Sequence, residues 1–261
     1  MLDVIFRDEH LIAIHKPAGL LVHRSEIDRS ETRFAIQLLR DQIGQRVFPV
    51  HRLDRGTSGV LLFALTREAL VAANRAFELN EVDKTYLAVV RGWPDEHGEI
   101  DHPLTRQYDN HEHRPEGAGT EAQSALTRFK RLAAVELPIA VDSHHSTSRY
   151  ALLQLSPKTG RRHQIRRHLK HIAHPIIGDS THGKGIHNRM FAEHFGCRRM
   201  LLMCDTLNLV HPVLHTRLEL CAATDETFES VLTSLGWQRP PSESRSFDPA
   251  GFARQNQRFS E

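Results

Sequence analysis

Residues 47–65 constrain the fold more than any other stretch of the chain. Val47-Phe48-Pro49-Val50 ends an extended segment, and Val60-Leu61-Leu62-Phe63-Ala64-Leu65 has the length and apolar continuity of a buried strand. Between them lies the polar nonapeptide His51-Arg52-Leu53-Asp54-Arg55-Gly56-Thr57-Ser58-Gly59. Asp54 is therefore expected on a turn held by rigid structure at both ends. Arg52 and Arg55 flank it, and nearby positive charge favours the ionised carboxylate. Gly56 and Gly59 allow a sharp bend or positive φ, and Thr57 and Ser58 offer hydroxyls to turn amides. Taken alone, these residues also describe an ordinary β-turn with a solvated Asp–Arg pair.

A chain of 261 residues can bury a full core, as one large domain or as two lobes. Its 39% hydrophobic and 25% charged residues are those of a soluble globular protein. No apolar run approaches the roughly 20 residues of a membrane helix, and the amino terminus lacks a basic region followed by a long apolar one. Cys197, Cys204 and Cys221 show no Cys-x-x-Cys spacing, so neither a disulfide framework nor a cysteine zinc site is indicated. A cytoplasmic protein is expected. The formal charge of +2 says little about nucleic acid, but its distribution says more. Residues 161–171 carry Arg161, Arg162, Arg166, Arg167 and Lys170 without one acidic neighbour.

Along the chain, residues 3–6 and 10–15 read as a hairpin, and Lys16-Pro17-Ala18-Gly19 reads as a turn ending its second strand. Near-helical spacing from Thr32 to Ile43 stops at Gly44. Thr66 can cap a helix reaching about Asn80, with Leu70, Ala73, Phe77 and Ala69 toward the core. A strand follows over 84–91, then a polar loop over 94–120 whose histidines His97, His102, His111 and His113 lack the regular spacing of a metal site. Strands are expected at about 122–135 and 149–155, a helix over 161–172, a short helix at 188–195, strands at 200–210 and 217–222, and a final helix capped by Asp225 and ending near Leu235. The tail from 238 is expected to be flexible. In the helix over 161–172, Ile165, Leu169 and Ile172 share an apolar face beside a cationic stripe of Arg162, Arg166 and Lys170. A polyanion or a buried carboxylate must balance that stripe. His163, His168, His171 and His174 are not read as metal ligands, because the cations among them would repel Zn²⁺.

His-Arg-Leu-Asp-x-x-Thr-Ser-Gly at 51–59 resembles the signature of the RluA-type pseudouridine synthases. Lys16-Pro17-x-Gly19, Lys84-x-Tyr86, Gly160-Arg161-x-His163-Gln164-x-Arg166 and His174-Pro175-Ile176-Ile177-Gly178-Asp179 match further motifs in the family's order, over about residues 3–237. The strand count points to an α+β fold with a mixed, mostly antiparallel sheet and flanking helices, and the resemblance implies that this sheet is in two halves with a central cleft. The resemblance also implies a single catalytic domain over 1–237, without a separate amino-terminal RNA-binding domain, followed by a flexible tail at 238–261. It makes Asp54 the catalytic aspartate, Arg166 its ion-pair partner, and Tyr86 the residue that stacks on the target base, with a hydroxyl available to accept the C5 proton. Arg52 matches the residue that fills the stack vacated by a flipped nucleotide. RNA contacts then fall to Arg161, Arg162, His163, Gln164, Arg167 and Lys170.

The implied reaction breaks the bond from uracil N1 to ribose C1′, turns the base and joins C5 to C1′. As an isomerisation it requires no redox cofactor, nucleotide energy or metal. Whether Asp54 engages C1′, the C2′ hydrogen or uracil C6 is open. Leu20-Leu21-Val22-His23-Arg24-Ser25 resembles the subgroup that modifies transfer RNA at uridine 65, in the acceptor/T-stem region; a ribosomal-RNA enzyme and a non-catalytic RNA-binding protein are the alternatives. Relatives commonly have Leu-His-Ala where this chain has Leu202-Met203-Cys204, which puts a role for that imidazole in doubt. No protein partner is implied, and a monomer is expected.

Overall fold

The computed structural model describes residues 1–23, 31–107 and 121–239. Strands β1 (Asp3–Arg7) and β2 (Leu11–Lys16) form the expected antiparallel hairpin. Its turn closes on the Asp8 carboxylate, which accepts from the amides of His10 and Leu11 at 2.7 Å each. Helix α1 (Ala35–Ile43) starts later than its periodicity suggests, because Phe34 is extended and bridges Leu21; it ends at a left-handed Gly44. Strand β3 (Phe48–Pro49) leads through the Asp54 turn into β4 (Ser58–Ala64), which is buried along its whole length. Each large apolar side chain there contributes about 1.5–3 kcal/mol by leaving water. Helix α2 (Arg67–Glu78) begins as expected, with the Thr66 hydroxyl accepting from the Ala69 amide at 3.2 Å.

Strand β5 (Asp83–Arg91) follows. The polar stretch beyond it is not the uniform loop its composition suggests. It contains β6 (His97–Asp101), which pairs at the sheet edge, and β7 (Leu104–Thr105), which forms a small ribbon with β8 (Ala122–Gln123). An edge strand buries one face lightly, and here Ile100 alone goes under, so no hydrophobic period marks it. His111 and His113 lie outside the described residues. The expected strand at 122–135 is split, and its main part is β9 (Leu126–Leu137), paired antiparallel with β10 (Ser148–Pro157). Helices α3 (Gln164–His171) and α4 (Gly185–His194), strands β11 (Leu202–Val210) and β12 (Arg217–Cys221), and helix α5 (Glu226–Ser234) complete the described chain. Asp225 caps α5, accepting from the Phe228 amide at 3.0 Å.

The main sheet runs β1-β2-β4-β11-β5-β10-β9-β6, with β12 beside β11 and β3 beside β4. Among the described residues its pairings are antiparallel except one, the short parallel contact of Met203 with Ser58 and Cys204 with Gly59 that joins β11 to β4. Two hydrophobic clusters lie along this sheet, a large one around β2, β4, α1, α2 and α5, and a smaller one around β10 and α3. This is the expected α+β architecture, and the Asp54 turn enters the sheet at its parallel junction. The chain is held further along than expected at its carboxyl end. Trp237 is buried, and Arg239 bonds the Asp205 carboxylate and the Ala222 carbonyl. The rest of the tail, from 240, lies outside the described residues.

Candidate active site

The turn carrying Asp54 is fixed from three sides. The Thr57 amide donates to the Asp54 carbonyl at 3.0 Å. Gly59 has φ +106°, and a Cβ there would run into the Cys204 carbonyl of β11, so the parallel junction requires glycine. Thr57 and Ser58 are buried, and the Ser58 hydroxyl accepts from Arg199 Nη2 at 2.8 Å, whereas the sequence suggested bonds to turn amides. The Lys16-Pro17-Ala18-Gly19 turn is bolted to the same loop. Wholly buried Lys16 donates from Nζ to the carbonyls of Pro17 (2.9 Å), Leu20 (2.7 Å) and Arg55 (3.3 Å), and the Gly19 amide also donates to Arg55. Burial lowers the Lys16 pKa to about 7. The ammonium serves to join two loops, a role its sequence context did not reveal.

From 112 residues away, Arg166 Nη1 donates to Asp54 Oδ2 at 3.0 Å. The same guanidinium grips Asp179 with its other edge, Nε to Oδ2 at 2.7 Å and Nη2 to Oδ1 at 2.8 Å. Asp179 Oδ1 also accepts from the amides of Thr181 and His182, both at 2.9 Å. The Asp179 side chain is 1% exposed, that of Arg166 9% and that of Asp54 20%. Burial raises the Asp179 pKa, but Arg166 and the two amides outweigh it and hold the carboxylate below its ordinary value. Burial likewise works against the Arg166 charge, and Asp179 and Asp54 more than offset it. Arg166 is thus a fixed bridge: a fully buried carboxylate orients it, and a partly accessible one receives its remaining edge. Asp179 was read from sequence only as part of a turn. The unbalanced charge of the segment asked for a polyanion or one buried carboxylate, and nothing local singled out Asp179.

The cationic stripe expected on α3 does not exist as one surface. His163, left-handed at φ 54°, starts the helix at Gln164, which leaves Arg161 and Arg162 on the preceding loop. Arg161 Nε donates to the Ser124 carbonyl (3.2 Å), Arg162 Nη1 to that of Gln107 (3.3 Å) and Arg167 Nη1 to that of Thr105 (2.9 Å), while Lys170 is exposed away from the cleft. Gln164, expected to touch RNA, is buried and fully used within the fold. Its Oε1 accepts from Thr159 Oγ1 and the Arg161 amide, and its Nε2 donates to the Leu126 carbonyl and Thr127 Oγ1. His163 stands 3.9 Å from Asp54 and 3.1 Å from the His182 ring. Burial lowers its pKa to about 4, past the opposing pull of Asp54, so the imidazole is neutral near pH 7.

Two cavities meet at Asp54. A cleft of about 800 Å³ is lined by Arg52, Arg55, Arg162, Arg166, Arg198 and Arg199, with Asp54 and Asp179 as its carboxylates. On the other side, a pocket of about 330 Å³ is lined by Tyr86, Lys84, Phe77, Leu202 and Ile165. Arg52, Leu53, Asp54, Arg162, His163 and Arg166 form part of both walls. Tyr86 lies opposite Cys204 across β5 and β11, and burial, Cys204 and Asp54 raise its pKa well above the ordinary phenol value. The phenol is therefore neutral near pH 7. Met203, where relatives carry histidine, is wholly buried and lines neither cavity.

A family model described as RNA pseudouridylate synthase matches residues 10–171. The chain belongs to the RNA pseudouridylate synthase family. Family membership spans the Asp54 turn, Tyr86 and Arg166, and close relatives extend it. The chain is 49% identical over 238 residues to the tRNA pseudouridine synthase C of Vibrio cholerae, covering 91% of this chain and 97% of that protein. With the Yersinia pestis protein of the same name it shares 47% over 237 residues, 91% of this chain and 92% of that one. The fold is similar to those of human RNA pseudouridylate synthase domain containing 1 (TM-score 0.66, 23% identity, 93% of this chain and 97% of that one) and domain containing 4 (0.68, 24%, 92% and 95%). Among the described residues of this pseudouridylate synthase, no helix is long and apolar enough to cross a membrane.

Proposed function

We propose that the chain isomerises one uridine of a transfer RNA to pseudouridine, at position 65 in the acceptor/T-stem region, and that residues 1–237 form its single catalytic domain in the cytoplasm. The names and near full-length coverage of the relatives support the transfer-RNA substrate. The observation that carries the catalytic assignment is the 3.0 Å pair of Arg166 with Asp54, set in the wall shared by both cavities.

In this reading the target nucleotide leaves its helix at a cost of about a few kcal/mol and enters the smaller pocket. Arg52, exposed at the mouth of both cavities, fills the vacated stack with its guanidinium plane. Tyr86 stacks on the extruded uracil, a contact worth roughly 1–3 kcal/mol. Asp54 acts at the junction of sugar and base, as nucleophile or base, with its carboxylate oriented by Arg166. Arg162 and His163 line the walls around the nucleotide, and the larger arginine-lined cleft accommodates the phosphates on either side.

The test is a map of pseudouridine in RNA from cells lacking the gene, complemented with the wild type or with Asp54→Asn. Loss of one transfer-RNA pseudouridine, restored only by the wild type, is expected. Loss at a ribosomal position would replace the transfer-RNA reading. Restoration by Asp54→Asn would end the catalytic one.

A further inference from the structure

Lys84 lies in the smaller pocket and has no part in the mechanism above. It stands two residues before Tyr86 on β5, so both side chains leave the same face of the strand. Both line the pocket that Asp54 opens into. Its Nζ lies 5.6 Å from the centroid of the Phe77 ring, and that ring is in turn stacked on His51. Among the described residues, no carboxylate lies within ion-pair distance of this ammonium. The adjacent Asp83 pairs with Lys158 at 3.3 Å, and Asp54 pairs with Arg166 at 3.0 Å. A cation largely withdrawn from water without an anion is costly, unless an anion arrives during the reaction.

We propose that Lys84 stabilises the uracil anion released when the glycosidic bond breaks. This rests on the assignment of the Asp54 cleft as the site of isomerisation. When Asp54 engages the ribose, the N1–C1′ bond breaks and its electron pair leaves with the base. The negative charge spreads over N1, O2 and O4 of the ring. After the base turns, C5 bonds to C1′ as Asp54 releases the ribose, breaking its bond to C1′ or returning the C2′ proton; the C5 proton departs and N1 takes up a proton, so atoms and charge balance. An ammonium aimed into the base pocket meets the carbonyl oxygens where that charge collects. It interacts more strongly with the anion than with neutral uridine, which makes its contribution specific to the bond-breaking step. The cation–π contact with Phe77 holds the ammonium in place before the substrate arrives.

The experiment compares single-turnover loss of the target nucleoside in transfer-RNA transcripts made with uridine or wholly with 5-fluorouridine, whose base departs more readily as an anion. Lys84→Met should slow the uridine substrate by about 30-fold or more, in the range of losing one donor to a developing oxyanion. The fluorinated substrate should be slowed by no more than about one-fifth of that factor, because its base depends less on external charge stabilisation. The dissociation constant for RNA should change less than about two-fold, since little of the contact exists in the ground state. Lys84→Arg, which keeps the cation, should recover most of the rate and controls for folding. Equal slowing of both substrates, or a loss confined to RNA affinity as for a phosphate contact, would overturn the proposal. Asp54→Asn separates the two levels of the argument. If that variant turns over, the site assignment fails; if it is inert while Lys84→Met slows both substrates alike, only the role of Lys84 fails.

Discussion

Replacing Asp179 by asparagine tests whether Asp54, the carboxylate proposed as catalytic, depends on a nearly fully buried neighbour of Arg166. The change keeps size and shape, and Oδ1 can still accept from Thr181 and His182. It turns the partner of Arg166 Nε from an acceptor into an amide donor and removes the charge that faces the guanidinium. One charge-assisted hydrogen bond is lost and another weakened, each worth about 1.5–3 kcal/mol. Removing one member of a buried pair typically costs about 3–5 kcal/mol. At roughly 2–4 °C per kcal/mol for a domain of this size, the melting temperature should fall by about 6–20 °C. Below its tolerance the enzyme stays folded, and the guanidinium is then free to swing toward Asp54 or solvent. A displacement near 1 Å at a reacting group costs about 10²-fold in rate, so kcat should fall by that order while RNA affinity stays close to wild type. The assay is single-turnover pseudouridine formation at a temperature where circular dichroism shows the variant folded. A second arm measures Arg166→Met alone and in combination with Asp179→Asn. If Asp179 acts through Arg166, the losses in rate overlap; independent residues would add within about 0.5 kcal/mol. A folded Asp179→Asn variant with kcat within about three-fold of wild type would refute the reasoning.

Three further outcomes follow from the same geometry. Gly59→Ala places a Cβ against the Cys204 carbonyl at φ +106°, so it should cost about 4 kcal/mol or more; a variant melting within about 5 °C of wild type would contradict the required parallel contact. His51 Nε2 accepts from the Leu62 amide at 3.1 Å, and burial lowers its pKa to about 3. Its unfolded form therefore binds more protons between pH 6.5 and about 3, and stability falls with pH through that window, by roughly 2 kcal/mol for this group between pH 7 and 5; urea midpoints of His51→Gln should show a shallower pH slope, and an unchanged slope would sink the idea. Arg52→Ala should lose activity on folded transfer RNA and retain more on a substrate with a mismatch at the target, where flipping costs about a few kcal/mol less; an equal loss on both would remove Arg52 from the flipping step.

What could be read from the sequence, and what could not, separates along a physical line. Interactions close in the chain were legible. Thr66 and Asp225 cap the helices they precede, and 60–65 is the buried strand its composition requires, because capping and burial patterns act over a few residues. The partnership of Asp54 with Arg166 was legible through resemblance and through charge, since a cation-rich segment without acids demanded a counter-charge from elsewhere. Asp179, the loop-joining role of Lys16 and the constraint on Gly59 were not, because each depends on which strands become neighbours. The predicted stripe failed for a similar reason: a single left-handed residue, His163, shifts the start of α3, and the resulting helix turns Arg166 inward and leaves Lys170 outside.

That inward turn also decides how RNA can be bound. Arg166 between Asp54 and Asp179 makes a trio with a net charge of minus one, which by itself would repel a phosphodiester chain. The cleft around it carries five further arginines, Arg52, Arg55, Arg162, Arg198 and Arg199, and among the described residues no carboxylate beyond those two. Arg55 and Arg199 have partners in Glu31 and Asp225, and Arg162 is tied to the Gln107 carbonyl, so the exposed Arg52 and Arg198 offer the most accessible positive charge. The chain's formal charge of +2 conceals this separation, with Asp54 and Asp179 at the floor of the cleft and the arginines on its walls. Under the proposed function, phosphates are held at the walls and excluded from the floor, and the uncharged pyrimidine is the part of the nucleotide that can approach Asp54 without electrostatic opposition.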